Sequence, residues 1–270
     1  MPQPEGPRRQ VTFELGKSKV SLSTATTSLN SLCRKKYVDE LDNLSRQKVA
    51  VAREVARKPK IILFDEPITD VDANSKQQFK CAFKELTKYL EQTIIYVTHD
   101  QTEAMTLADH IALMNDGRIT QCDLPRTLYN QPEDIFGGWF LGNPGMNYFK
   151  HNCEKQNGSI VVKSSQFSTP LHICEAANIQ DEVIIGIRPE NINVFEKPSN
   201  RAVKGEVVSK TITIGGQYLI TLRNEKLKAK VESQKGCSLE KQAWVELPIE
   251  KVILFSKDGR RIHAKLLLEA

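Results

Sequence analysis

Two short, wholly apolar runs end in charged residues, and they constrain the fold more than any other feature of the chain. Ile61-Ile62-Leu63-Phe64 leads into Asp65-Glu66-Pro67, and Ile94-Ile95-Tyr96-Val97 leads into Thr98-His99-Asp100. Apolar runs without alternation read as strands buried in a parallel sheet. Between them, Phe79, Ala82, Phe83, Leu86 and Leu90 mark one face of a helix. Strand, helix and strand in that order form a parallel crossover, which brings both carboxyl ends to one edge. Open α/β sheets bind ligands at that edge. Asp65, Glu66 and His99 are therefore expected there together, with Glu66 and His99 33 residues apart in sequence.

The neighbouring elements extend this layer. Ser45 reads as an N-cap, followed by Val49, Ala52, Val55 and Ala56 on one helical face, and Pro59 stops that helix. A further helix is expected over 102–108. Asn115-Asp116-Gly117 signals a hairpin between Ile111–Met114 and Arg118-Ile119, and a short helix is expected over 124–129. The fold class is α/β with a parallel sheet. Beyond Gly142-Asn143-Pro144-Gly145 the pattern changes to short strands between turn residues: 159–163, 182–187, 205–209, 217–222, 227–231, 243–247 and 252–255. That spacing predicts a small antiparallel barrel. Three regions follow: 1–43, in which no element is assigned and 1–10 read as disordered; 44–143, an α/β layer; and 144–270, a β-domain.

Composition narrows the function. Hydrophobic residues at 40% and charged residues at 26% are those of a globular chain. No apolar run reaches the roughly 18–20 residues that span a bilayer, and Met1–Gln10 lacks the apolar core of a signal peptide. A cytosolic protein, at a membrane only through partners, is the expectation. The six cysteines are scattered without a C-x-x-C pair, which argues for reduced thiols rather than zinc or disulfides. The net charge of +5 comes from basic residues interleaved with acids, as on a solvated surface.

Phosphoryl transfer to water needs a metal near the phosphates, a group that orients the water, and donors for the developing charge. Strand-end Asp65 suits water-mediated Mg²⁺ contact, and Glu66 suits orientation of the attacking water. A strand-end His99 on the adjacent strand completes the pattern.

Leu63 through Ala73, containing Asp65-Glu66-Pro67 and Asp72, resembles the Walker B and D-loop of ABC-transporter ATPases. Tyr96-Val97-Thr98-His99-Asp100-Gln101-Thr102-Glu103-Ala104-Met105 resembles the H-loop of ABC importers. Asn115-Asp116-Gly117-Arg118-Ile119, Leu128-Tyr129-Asn130-Gln131-Pro132 and Phe140–Asn147 are similar to segments that close this domain in sugar-importer ATPases of the maltose and glycerol-phosphate type. Ile185-Gly186-Ile187-Arg188-Pro189-Glu190-Asn191-Ile192 and Val252–Ile262 resemble that subgroup's regulatory domain. The resemblance covers about residues 44–270. It implies part of a P-loop-NTPase-type parallel sheet followed by an OB-type barrel, with ATP and Mg²⁺ as cofactors. It also implies catalytic positions at Glu66 and His99, a metal position at Asp65, and nucleotide contacts at Ser45 and Asp72. Permease subunits and a second ATPase subunit, as homodimer or heterodimer, are the implied partners.

Two parts of that pattern are missing. No G-x-x-x-x-G-K-[ST] occurs; Gly16-Lys17-Ser18 echoes its end, but Val11 stands where the first glycine belongs. The family's Leu-Ser-Gly-Gly-Gln is reduced to Leu44-Ser45 followed by Arg46-Gln47-Lys48-Val49-Ala50. Those glycines allow close backbone approach to phosphate. One reading is thus a truncated or degenerate importer ATPase that binds Mg-ATP weakly. A second is a non-catalytic partner of an intact ATPase subunit. A third, an OB-type nucleic-acid binder, needs exposed aromatics among basic residues. Phe167, Phe195, Tyr218, Trp244 and Phe255 sit mostly among apolar neighbours, so no nucleic acid is expected.

Overall fold

The computed structural model describes residues 11–15, 43–68, 73–88, 92–156, 159–174, 181–213 and 215–268. The expectation of disorder over 1–10 and the assignment of Asp72 fall outside them. The chain divides into two compact units, Met1–Asn130 and Gln131–Ala270.

The first unit contains β1 (Val11–Leu15), α1 (Asn43–Ala56), β2 (Ile61–Asp65), α2 (Ala73–Lys88), β3 (Thr93–Thr98), α3 (Gln101–Leu107), β4 (His110–Asn115), β5 (Arg118–Asp123) and α4 (Pro125–Asn130). Its sheet has the order β2-β3-β1-β4-β5. β2 and β3 pair in parallel, from Ile61 opposite Thr93 to Asp65 opposite Val97. The sheet is nevertheless mixed, not parallel throughout as expected. β1 lies antiparallel between β3 and β4, and β4 pairs antiparallel with β5. Val11–Leu15 is too short to show a sequence period. It has a place because β3 and β4 would otherwise present open ladders to each other's side of the sheet.

β2 also departs from the expected fully buried strand. Among the described residues it is the sheet's edge strand; Ile62 and Phe64 face the core, while Ile61 and Leu63 are 61% and 66% exposed. The core on that face joins Phe64, Tyr96, Ile94, Ile111 and Leu113 to Phe79 and Phe83 of α2. Phe83 meets Phe64 and Tyr96 edge-on, with ring centroids 5.4 and 5.5 Å away, the geometry that aromatic quadrupoles favour. Ala82, expected on this face, is exposed. The β4–β5 hairpin forms as expected. Asp116 (φ 49°) and Gly117 (φ 75°) both take positive φ, as a two-residue type I′ turn requires.

α1 begins at Asn43, so Ser45 lies inside its first turn and is not the N-cap. Its buried residues are Val51 and Val55, four apart, whereas Val49 and Ala56 are exposed. The expected face was rotated because Val49 and Val51 fit helical spacing equally well. Lys58 (φ 51°) ends the helix in the left-handed conformation and its N–H bonds Val55 O at 3.0 Å.

The second unit opens with α5 (Ile135–Phe140) and continues through β6 (Asn147–Gln156), β7 (Ser159–Val162), β8 (Leu171–Cys174), β9 (Glu182–Ile187), β10 (Asn193–Phe195), β11 (Val203–Ile212), β12 (Tyr218–Leu222), β13 (Lys228–Val231), α6 (Ser233–Ser238), β14 (Gln242–Glu246), β15 (Ile253–Ser256), β16 (Arg261–Ile262) and β17 (Lys265–Leu268). Every pairing in it is antiparallel. Two sheets, β10-β14-β11-β12-β13 and β16-β15-β9-β6-β7-β8-β17, enclose one OB-like core. Phe149, Ile185, Ile187 and Leu254 from one sheet pack with Ile220, Leu222, Ala243 and Val245 from the other. The unit starts earlier than the expected linker because residues 131–143 are tied into it. Ile135 N–H bonds Gly259 O at 2.9 Å, and Tyr148 Oη donates to Ile135 O at 2.9 Å. The buried Arg188 guanidinium donates to Gly138 O and Leu141 O, satisfying the carbonyl end of α5.

Asn147 closes the barrel. Its side-chain N–H₂ donates to Lys228 O (2.9 Å) and Ile187 O (3.3 Å), and its Oδ1 accepts from Lys228 N–H (2.9 Å). One buried amide thus acts as a strand partner for β13 from the opposite sheet. Asn147→Ala strands these backbone groups, and a loss of about 2–3 kcal/mol is expected. Urea unfolding followed at Trp244 should show it, and Asn147→Asp should not restore the wild-type midpoint, because it cannot donate when ionised.

Candidate functional site

The parallel register of β2 and β3 delivers two acids and a histidine to one edge. With Asp65 opposite Val97, Glu66 N–H bonds Val97 O at 2.9 Å, the last rung of the ladder. Glu66 then turns the chain with φ 43°. A non-glycine residue in this region costs on the order of 1 kcal/mol and often marks a functional position. The turn carries its carboxylate toward His99, where Glu66 Oε1 lies 2.8 Å from Nδ1. Asp65 is exposed beside it and has no hydrogen-bond or ion-pair partner among the described residues.

The turn that presents His99 is firmly held. Asp100 caps α3: its Oδ1 accepts from Thr102 N–H (2.8 Å) and Glu103 N–H (3.2 Å). Lys80, buried on α2, approaches its other oxygen at 3.9 Å. Burial pushes the Asp100 carboxyl up, but the Lys80 ammonium and the two N–H groups outweigh it, leaving it below the usual carboxylate range. Behind the turn, Tyr96 Oη and Thr98 Oγ1 both donate to Glu103 Oε2 at 2.9 Å. Burial and the neighbouring Glu103 raise the Tyr96 phenol far above its ordinary value, so it remains a donor. Sequence reasoning missed Lys80, Tyr96, Thr98 and Glu103 as members of the site. Asp100-x-x-Glu103 has the spacing of a capping box and was the available signal.

Of the sequence-derived site residues, the structure joins Glu66 to His99, with Asp65 next to Glu66. Ser45 is half-buried in the first turn of α1, and Asp72 lies outside the described residues. No group of three metal-ligating side chains occurs among the described residues. Mg²⁺ is held by one or two carboxylates together with its own waters and substrate phosphates, and Asp65 and Glu66 are the carboxylates at this edge. A phosphate cradle is a different matter. β1, the strand next to β3, runs against it: Val11 pairs with Thr98 and Leu15 with Ile94. Its carboxyl end therefore leaves the sheet at the edge away from His99.

Asp100 makes the first unit acid-sensitive. A carboxyl lowered in the folded state contributes stability above its unfolded value of about 3.9, and that contribution is lost as pH falls through the folded value. Thermal unfolding against pH should show wild type and Asp100→Asn differing by a constant amount above pH ~5 and converging below pH ~4. A pH-independent difference would assign the residue a capping role alone.

The MalK OB fold domain model matches residues 142–192. The chain is 33% identical over 214 residues to an uncharacterized ABC transporter ATP-binding protein, y4oS of Sinorhizobium fredii, covering 75% of this chain and 58% of that one. It is 31% identical to the sn-glycerol-3-phosphate import ATP-binding protein UgpC of Psychromonas ingrahamii, over 83% of this chain and 58% of that one. It is 33% identical over 272 residues to the sulfoquinovosyl glycerol transport ATP-binding protein SmoE of Agrobacterium fabrum, covering 95% of this chain and 74% of that one. The chain thus spans about three-fifths of the length of the first two relatives. With strand-end Asp65-Glu66 joined to His99 and an OB-like unit following, it belongs to the ATP-binding proteins of ABC importers.

Proposed function

We propose that this chain is an ATP-binding subunit of an ABC importer, working at the cytoplasmic face of a membrane with permease subunits and a second, intact ATPase subunit. Uptake of a sugar or related solute is the reading that SmoE and UgpC favour by name. No helix among the described residues is long and apolar enough to cross a membrane.

The observation that carries this reading is the 2.8 Å contact of Glu66 Oε1 with His99 Nδ1 at the carboxyl edge of β2 and β3. Glu66 retains a second carboxylate oxygen with which to orient water, and Asp65 is free to meet a hydrated Mg²⁺. The metal supplies neutralisation of phosphate charge. The exposed side of the His99 ring is available to the terminal phosphate. What the chain lacks is the set of backbone N–H groups that hold phosphates in place, since its sequence has neither a glycine-rich phosphate loop nor the full signature. Electrostatic stabilisation of the transferred group is usually the largest catalytic contribution. Without it the chain alone binds Mg-ATP weakly and turns it over negligibly.

The antiparallel β1 favours a second reading, a non-catalytic partner that dimerises with an intact ATPase subunit. Steady-state phosphate release separates the two. The purified chain should match its Glu66→Gln variant at background. Turnover typical of ABC ATPases by the chain alone would overturn the impaired reading. Mixed with a full-length importer ATPase lacking its own glutamate base, the chain should restore turnover if Glu66 works across the dimer. Stable association without recovered turnover would select the non-catalytic partner.

A further inference from the structure

The Glu66–His99 pair cannot hold itself in place. The His99 side chain is 65% exposed, and a pair at such a surface contributes little beyond the entropy of fixing its side chains. The ring's orientation must therefore be set from the backbone beneath it. We propose that Glu103 is the positioning residue that fixes His99 against Glu66, through a hydrogen bond from Thr98 to its buried carboxylate that is relayed by the Thr98 hydroxyl to Asp100, on the other side of His99.

Glu103 is 2% exposed, and burying a carboxylate is costly unless its oxygens are paired. Both donors it meets come from β3, and both use the same oxygen: Tyr96 Oη and Thr98 Oγ1. A threonine hydroxyl has one proton. Because Thr98 gives it to Glu103, the lone pairs of Oγ1 face the other way, and one accepts Asp100 N–H at 3.0 Å. Thr98 and Asp100 flank His99 on either side. Asp100 is held a second time by Thr102 N–H, Glu103 N–H and Lys80. The peptide on each side of His99 is thus immobilised by groups that trace back to Glu103 and α3. With the backbone fixed, the neutral ring donates Nδ1–H to Glu66 and turns Nε2 outward, which selects one tautomer.

An apolar side chain at position 103 would bury without needing partners, yet it would free the Thr98 hydroxyl to rotate. The inference rests on the reading of His99 as a working residue, but its test does not need nucleotide. Nitrogen NMR of the full chain without ATP reports the tautomer of the neutral His99 ring directly. Wild type should carry the proton on Nδ1. Glu103→Gln, whose amide oxygen accepts both hydroxyls, should retain that state. Thr98→Val and Glu103→Leu should shift the ring toward the mixture of tautomers seen in free imidazole, with loss of the Nδ1–H signal. Thr98→Ser should restore it. His110 and His151 report whether each unit remains folded. If Thr98→Val unfolds the first unit, the comparison of Glu103→Leu with Glu103→Gln decides. An unaltered Nδ1–H tautomer in folded Thr98→Val or Glu103→Leu overturns the proposal, as does its absence from wild type. Loss of the signal with unchanged lack of ATP turnover supports positioning while leaving the nucleotide reading to its own experiment.

Discussion

The register of β2 against β3 is the constraint on which the site depends. Five consecutive parallel rungs place Asp65 opposite Val97. A shift by one residue would turn Phe64 outward and Leu63 inward. It would also separate the Glu66 carboxylate from His99. Among the described residues the register is supported by Phe83, which packs on Phe64 and Tyr96, and by Phe79 stacked on Phe83. The aromatic cluster and the Glu66–His99 contact are therefore consequences of the same alignment. A change that loosened the cluster would reach the site through the strand ends, without touching a charged residue.

Along this edge the structure separates strength from chemistry. Glu66 and His99 meet where water competes for both, so their contact is chemically available but mechanically weak. The groups beneath them are the reverse. Tyr96, Thr98 and Glu103 are buried and mutually satisfied, and hydrogen bonds in such surroundings are expensive to break because the orphaned partner stays desolvated. A rigid polar base under a solvent-facing pair is what a residue that must contact a transient ligand requires.

The sequence made the paired strand ends legible because apolar runs and terminal charges are local signals. Asp65, Glu66 and His99 could be placed together from spacing alone, and the β4–β5 turn followed from Asp116-Gly117. The later strands were legible in number and approximate position for the same reason. Three features were not. β1 is five residues whose place is decided by the ladders of β3 and β4, which no local pattern encodes. The exposure of Ile61 and Leu63 depends on what packs on the sheet face opposite Ile62 and Phe64, a tertiary property that no local pattern encodes. Ser45 reads as a cap because serine is favoured at N-caps, but the helix already includes Asn43 and Leu44 before it. Asn147 and Arg188 each act on partners far away in sequence, so their roles are visible only once the barrel is closed.

The antiparallel direction of β1 has a consequence beyond topology. In a parallel crossover sheet, a strand beside β3 would end at the His99 edge and could present a phosphate-binding loop there. β1 instead begins at that edge and ends at the other. The position that would supply phosphate donors is filled by a strand oriented so that it cannot. Among the described residues, the first unit therefore combines a carboxylate–histidine contact at one edge with a neighbouring strand whose carboxyl end lies at the other.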